Sequence, residues 1–160
     1  MRAACPILYR TAVPADVPEF CGLVRRVFRE SLASECTAAG CREFMRRITI
    51  TAVARRMRGQ RMLVAEAGRS IVGVAEIHRN YLVLLFVRDD HRGRGIARGL
   101  VREAFQLLPG TPPRHVYVGA ARAAVRVYER MGFRAVREQT DECGIPCVLM
   151  RLEWNGERVF

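Results

Sequence analysis

Seven consecutive apolar residues, Tyr81-Leu82-Val83-Leu84-Leu85-Phe86-Val87, constrain this chain more than any other stretch of it. A run of this length bounded by turn residues reads as a strand. Because it lacks polar alternation, both of its faces need cover, which calls for helices on both sides of a sheet. It is also the longest apolar run, far below the ~20 residues of a membrane-spanning helix, so no transmembrane segment is expected.

The flanking segments supply that cover. Ile7–Thr11 has strand composition, and Val13-Pro14-Ala15-Asp16 gives a turn and a helix N-cap. Val17, Phe20, Leu23, Val24, Val27 and Phe28 recur at helical spacing through Glu30. Thr37 to Met57 is helical but weakened by Ile48-Thr49-Ile50-Thr51, so two short helices are expected. Met62–Glu66 and Ile71–His78 form a hairpin around Ala67-Gly68-Arg69-Ser70, and Arg79-Asn80 turns into the apolar strand. A helix from about Gly95 to Leu107 follows, stopped by Pro109-Gly110-Thr111-Pro112-Pro113. Then come a strand at His115–Val118, a helix from Arg122 to Met131 ended by Gly132, and strands at Phe133–Glu138 and Pro146–Trp154. The order predicts an α/β fold with a single mixed, mostly antiparallel sheet flanked by helices. A length of 160 residues suits one domain spanning 1–160.

Composition excludes several classes. Half of the residues are hydrophobic and no segment is of low complexity, which argues against disorder. Ala3–Ala15 is broken by polar residues and prolines, so no signal peptide is expected and the chain reads as cytoplasmic. Without a secretory context the six cysteines, Cys5, Cys21, Cys36, Cys41, Cys143 and Cys147, read as free thiols. Cys143-x-x-x-Cys147 lacks a second ligand pair, so no metal is expected. All 27 basic residues are Arg and the net charge is +11, a field that attracts anions.

The apolar strand leads through Arg88-Asp89-Asp90-His91 into Arg92-Gly93-Arg94-Gly95-Ile96-Ala97. Glycines between a strand and a helix let the backbone approach a ligand, first-turn amides point at it, and the helix dipole favours negative charge, so this turn suits a phosphate. Gly-Lys-Ser/Thr is missing, which excludes a Walker loop. Gly93-x-Gly95-x-x-Arg98 lacks the third glycine of a dinucleotide site.

Arg92-x-x-Gly95-x-Ala97 after an apolar strand resembles the acyl-CoA signature of the GNAT acetyltransferase superfamily. The opening Tyr9–Asp16, the segment Ala124–Phe133 and the closing Gly144–Met150 also resemble family elements, in family order. The resemblance implies a GNAT-like fold and acetyl-CoA as co-substrate. It implies that the cofactor arm lies along Leu85, Phe86 and Val87, pairing with the main chain of Leu85 and Val87. The amides of Arg92, Gly93, Arg94, Gly95, Ile96 and Ala97 would hold the pyrophosphate, and the Leu85 amide would sit near the thioester carbonyl. Tyr128, five residues before Phe133, matches the tyrosine that faces the CoA sulfur and would protonate the departing thiolate. The resemblance names no base. Glu76, alone among apolar neighbours, is the candidate, with His78 or water as substitutes. Ala121 stands where the family often has Asn, so a cofactor contact is expected to be missing, with Arg122 or Arg126 as replacements.

The implied function is N-acetylation of an amine on a small molecule or protein; a homodimer is one assembly open to such a chain. Two other readings compete. A toxin-like acetyltransferase of aminoacyl-tRNA would use the basic surface, and a non-catalytic regulatory or nucleic-acid-binding module would merely keep the fold. Arg55-Arg56-Met57-Arg58 and Arg42–Arg47 lack the interleaved stacking residues expected of a single-strand binder.

Overall fold

The computed structural model describes residues 5–154 apart from 60, 107, 109 and 112. The strands are β1 (Ile7–Thr11), β2 (Arg61–Ala67), β3 (Ser70–His78), β4 (Tyr81–Val87), β5 (His115–Ala120), β6 (Arg134–Thr140) and β7 (Pro146–Glu153). The helices are α1 (Val17–Ser31), α2 (Ala38–Arg47), α3 (Ile50–Arg56), α4 (Ile96–Gln106) and α5 (Val125–Arg130). One sheet takes the order β1-β2-β3-β4-β5-β7-β6, antiparallel except for β4 beside β5. This is the mixed, mostly antiparallel sheet that the element order predicts, with the apolar strand in the middle. Leu107, the expected last residue of α4, and Pro109 and Pro112 of its stop lie outside the described residues.

The interruption in the second helical segment has a local cause. Thr37 Oγ accepts the Gly40 N–H at 3.0 Å and Thr49 Oγ accepts the Ala52 N–H at 3.2 Å, so each threonine caps its own short helix. The first part of the expected Arg122–Met131 helix is instead a 3-10 turn at Arg122–Ala124.

Each sheet face carries its own core. On one, Phe20, Val24 and Phe28 of α1 pack with Val53 of α3 and with Val64, Val74, Leu84 and Phe86 of the strands. On the other, Leu100, Val101 and Phe105 of α4 and Tyr128 of α5 meet Leu63, Ala75, Leu82 and Val118. Helix α4 comes close because Gly99 presents no side chain: a Cβ there would stand 2.3 Å from the ring of Tyr9 on β1. That closeness fixes where α4 begins, beside the end of β4.

β4 contributes to both cores through one irregularity. Glu76 of β3 faces Leu84, but the next residue, Ile77, faces Leu82, so Val83 is an extra residue. The extra residue reverses the alternation. Leu82 points into the α4 side, whereas Leu84 and Phe86 point into the α1 side.

The entry to α1 is fixed electrostatically. Asp16 accepts from both terminal nitrogens of Arg10, at 2.7 and 2.9 Å, and from the Val13 N–H at 2.7 Å; Arg10 also reaches Glu66. The hydrogen bonds from Arg10 hold the Asp16 carboxyl below its ordinary range against the opposing effect of burial. A folded pKa below the unfolded value gives stability that is fully present above the unfolded pKa and lost as pH falls through the folded one. The urea-midpoint difference between the native chain and Asp16→Asn is therefore expected to be flat above about pH 5 and to shrink below about pH 4.

Candidate functional site

The site begins where the sheet comes apart. β4 and β5 pair only at Tyr81↔Tyr117 and Leu82↔Val118, and from Val83 onward the two parallel strands separate. Arg88 donates its N–H to Val72 O at 2.9 Å. Antiparallel pairing alternates every second residue, so Phe86 and Leu84 also direct their main-chain groups at β3, while those of Leu85 and Val87 face the gap. They form an unpaired edge in the middle of a sheet. Leu85 and Val87, from which main-chain contacts are expected, turn their backbone to the gap. Phe86, expected along the same arm, turns its backbone to Val74 and is among the residues lining the cleft.

A cavity of about 120 Å³ fills the gap, between Val83 and Leu85 on one wall and Val118, Gly119 and Ala121 on the other. Tyr128 closes its inner end. The ring is 7% exposed, stands edge-on to Phe133 with centroids 5.4 Å apart, and its hydroxyl has no hydrogen-bond partner among the described residues. Burial pushes the phenol above its ordinary range, with a smaller contribution from nearby Tyr81, so Tyr128 keeps its proton at neutral pH.

The glycine turn sits at the far end of β4. Gly93 and Gly95 have φ of 73° and 74°, which side chains other than glycine rarely adopt. The main-chain amides from Gly93 to Ala97 have no backbone acceptor among the described residues, and α4 starts at Ile96. This is the geometry of an anion cradle. The two arginines divide the work: Arg92 ties the turn down through Asp89 at 2.6 Å and Ser31 Oγ at 3.0 Å, whereas Arg94 is exposed with no side-chain partner among the described residues. Ile96 offers its amide only, since its side chain is buried under α4. Arg88 holds Asp90 well below the usual carboxylate range, and His91 adds to this.

Glu76 and His78 do not join these residues. Glu76 is fully buried on the α1 side, its two oxygens accepting from Arg56 at 2.7 and 3.0 Å, while the same guanidinium donates to Arg47 O at 2.8 Å. Clamped this way and outside the lining of the cleft, the carboxylate anchors α3 to the sheet. His78 ends β3 at the opposite edge, lining a different cavity. Arg122 is engaged with Glu138 at 3.5 Å, leaving Arg126 as the exposed arginine beside Ala121.

Two other carboxylates border the cleft. Glu35, just after α1, is exposed and has no partner among the described residues; Asp141, between β6 and β7, accepts the N–H groups of Cys143 and Ile145 on one oxygen, both at 2.8 Å. Phe28 and Phe44, stacked at 4.0 Å, form the apolar wall beside them. Each carboxylate sits in a segment that reads as plain loop. An Asp three residues before Gly144 signals a turn, but nothing local pairs it with Glu35.

The family model for the acetyltransferase (GNAT) domain matches residues 32–154. A GCN5-related N-acetyltransferase from Rhodopseudomonas palustris superposes with a TM-score of 0.82 at 17% identity, covering 96% of this chain and 99% of that one. PaiA N-acetyltransferase from Thermoplasma acidophilum, in complex with coenzyme A, gives 0.78 at 16% identity over 93% and 99%. YncA from Salmonella typhimurium, with its cofactor acetyl-CoA, gives 0.65 at 16% over 94% and 95%. No curated protein matches the chain in sequence.

Removing the arginine from the buried pair would leave Glu76 charged and unpartnered. Arg56→Met is expected to lower stability by about 3–5 kcal/mol, and Arg56→Met/Glu76→Met to recover most of it, as read from urea unfolding midpoints.

Proposed function

This chain belongs to the GNAT acetyltransferase family, and we propose that it moves the acetyl group of acetyl-CoA to the amine of a small molecule by direct attack on the thioester. The observation that carries this reading is the unpaired main-chain edge of Leu85 and Val87, in line with the open amides of Gly93–Ala97. An extended arm with amide groups can add to that edge as a strand would, and its pyrophosphate then meets the turn. The coenzyme A and acetyl-CoA held by PaiA and YncA support acetyl-CoA as the donor.

Within that frame each residue has a task. The Leu85 amide, facing the gap, donates to the thioester oxygen as negative charge builds there. Tyr128, buried and protonated, gives its proton to the departing sulfur. Arg94 supplements the turn's amides on phosphate. Glu35 takes over the role first considered for Glu76: its free carboxylate draws in a cationic amine and, through water, takes the ammonium proton so that the neutral amine can attack; the second nitrogen proton leaves to water as the amide forms. Asp141 adds negative charge at the same mouth. An acidic mouth over a stacked aromatic wall suits a small amine with an apolar body. It disfavours the polyanionic surface of a tRNA.

Calorimetric titration with acetyl-CoA is expected to show micromolar binding that disappears in Arg92→Glu/Gly95→Glu; a native chain that takes up no acetyl-CoA would sink the proposal. Tyr128→Phe is expected to keep cofactor affinity within a few-fold while thiol release with an accepted amine slows by about 10²–10⁴. Glu35→Gln is expected to raise the KM for the amine more than it changes acetyl-CoA binding.

A further inference from the structure

The chain has a second concave surface, and its chemistry is opposite to that of the acidic mouth. At the closed end of the β4–β5 pair a cavity of about 730 Å³ lies between the start of β2, the β3–β4 turn and the start of β5. Arg61, Arg79 and Arg114 line it, joined by His78, His115 and Tyr117, and no carboxylate does among the described residues. None of the three arginine side chains has an ion-pair or hydrogen-bond partner among the described residues, whereas Arg10, Arg56 and Arg88 each sit on a carboxylate. Glu153 faces His115 in the β5–β7 register but is exposed and lies outside the lining.

One wall of the cavity is fixed by backbone hydrogen bonds. Asn80 donates its side-chain N–H to His115 O at 3.1 Å and accepts the Tyr117 N–H on its own carbonyl at 2.9 Å, locking the β3–β4 turn onto β5. Arg79, in that turn, has φ of 55°, a left-handed conformation that a glycine would adopt more easily. The turn therefore carries a guanidinium at a position where the backbone favours no side chain at all. Three cations around one hollow, with no carboxylate in its described lining, give a positive local field that favours a bound anion.

We propose that this cavity binds a phosphorylated anion of mononucleotide size, at a site separate from the acetyl-CoA cleft. Guanidinium groups match phosphoryl oxygens as planar forks. A volume of about 730 Å³ lies within the ~300–1,000 Å³ range of small-ligand pockets. The rings of His115 and Tyr117, centroids 6.5 Å apart, offer faces for a planar group. The glycine turn lies at the other end of β4, about 20 Å of strand away, so one ligand cannot fill both sites with a single phosphate group.

The test is calorimetry on the full chain saturated with coenzyme A, titrated at low salt with inorganic pyrophosphate and, separately, with ADP. One-to-one binding is expected, weakened about tenfold or more in Arg61→Ser/Arg114→Ser, with coenzyme A affinity and thermal unfolding unchanged in that variant. Tighter binding of ADP than of pyrophosphate would place the rings in contact with the base, and equal binding would mean that phosphate alone is read; either supports the site. Absence of binding by both anions, or unchanged affinity in the double substitution, overturns it. Repeating the titrations on Arg92→Glu/Gly95→Glu without coenzyme A keeps the outcome independent of the acetyl-CoA reading.

Discussion

The separation of two parallel strands in the centre of the sheet is the constraint on which the rest of this structure depends. An unpaired edge in a sheet interior leaves polar main-chain groups that need partners. Here the edge is kept open because Val83 is an inserted residue in β4, which reverses the strand's facing just where pairing with β5 ends. Leu82 packs under α4 and α5, and Leu84 and Phe86 pack under α1. β4 is thus gripped on both faces by apolar contacts, and beyond Leu82 it stays in place without pairing on its β5 side.

That grip also explains why the ends of β4 carry different chemistry. At its C-terminal end the chain passes into α4 through two left-handed glycines, and the open amides there form a positive terminus. At its N-terminal end the strands remain paired and present side chains, three arginines and two histidines, around a hollow. The acidic mouth lies between, on the side of α1 and the β6–β7 loop. A basic chain therefore carries an acidic concavity beside the gap in its sheet, and its net charge says nothing about that local sign.

The buried Glu76–Arg56 pair shows how a side chain can look reactive in sequence and be structural in the fold. A lone carboxylate among apolar strand residues satisfies every local criterion for a tuned base. Its partner comes from α3, whose own start is set by Thr49 and whose packing against α1 brings the guanidinium over the strand. The pair ties α3, the end of α2 and β3 together through Arg56 and Arg47 O, on the α1 side of the sheet.

What the sequence determined was whatever depends on neighbours a few residues away: helical and strand periods, the apolar central strand, and the glycine turn with its open backbone amides. The position of Tyr128 on a short helix was legible because the helix and the Gly132-Phe133 stop that place it lie within one short segment, whereas its assignment as proton donor came from the resemblance to the family. Only the tertiary structure decided which carboxylates reach the cleft, since Glu35 and Asp141 come from loops at distant points of the chain, and which arginines are left without counter-charge. Pairing between charged side chains depends on a few ångströms of separation across the fold, and no local pattern encodes a distance of that kind.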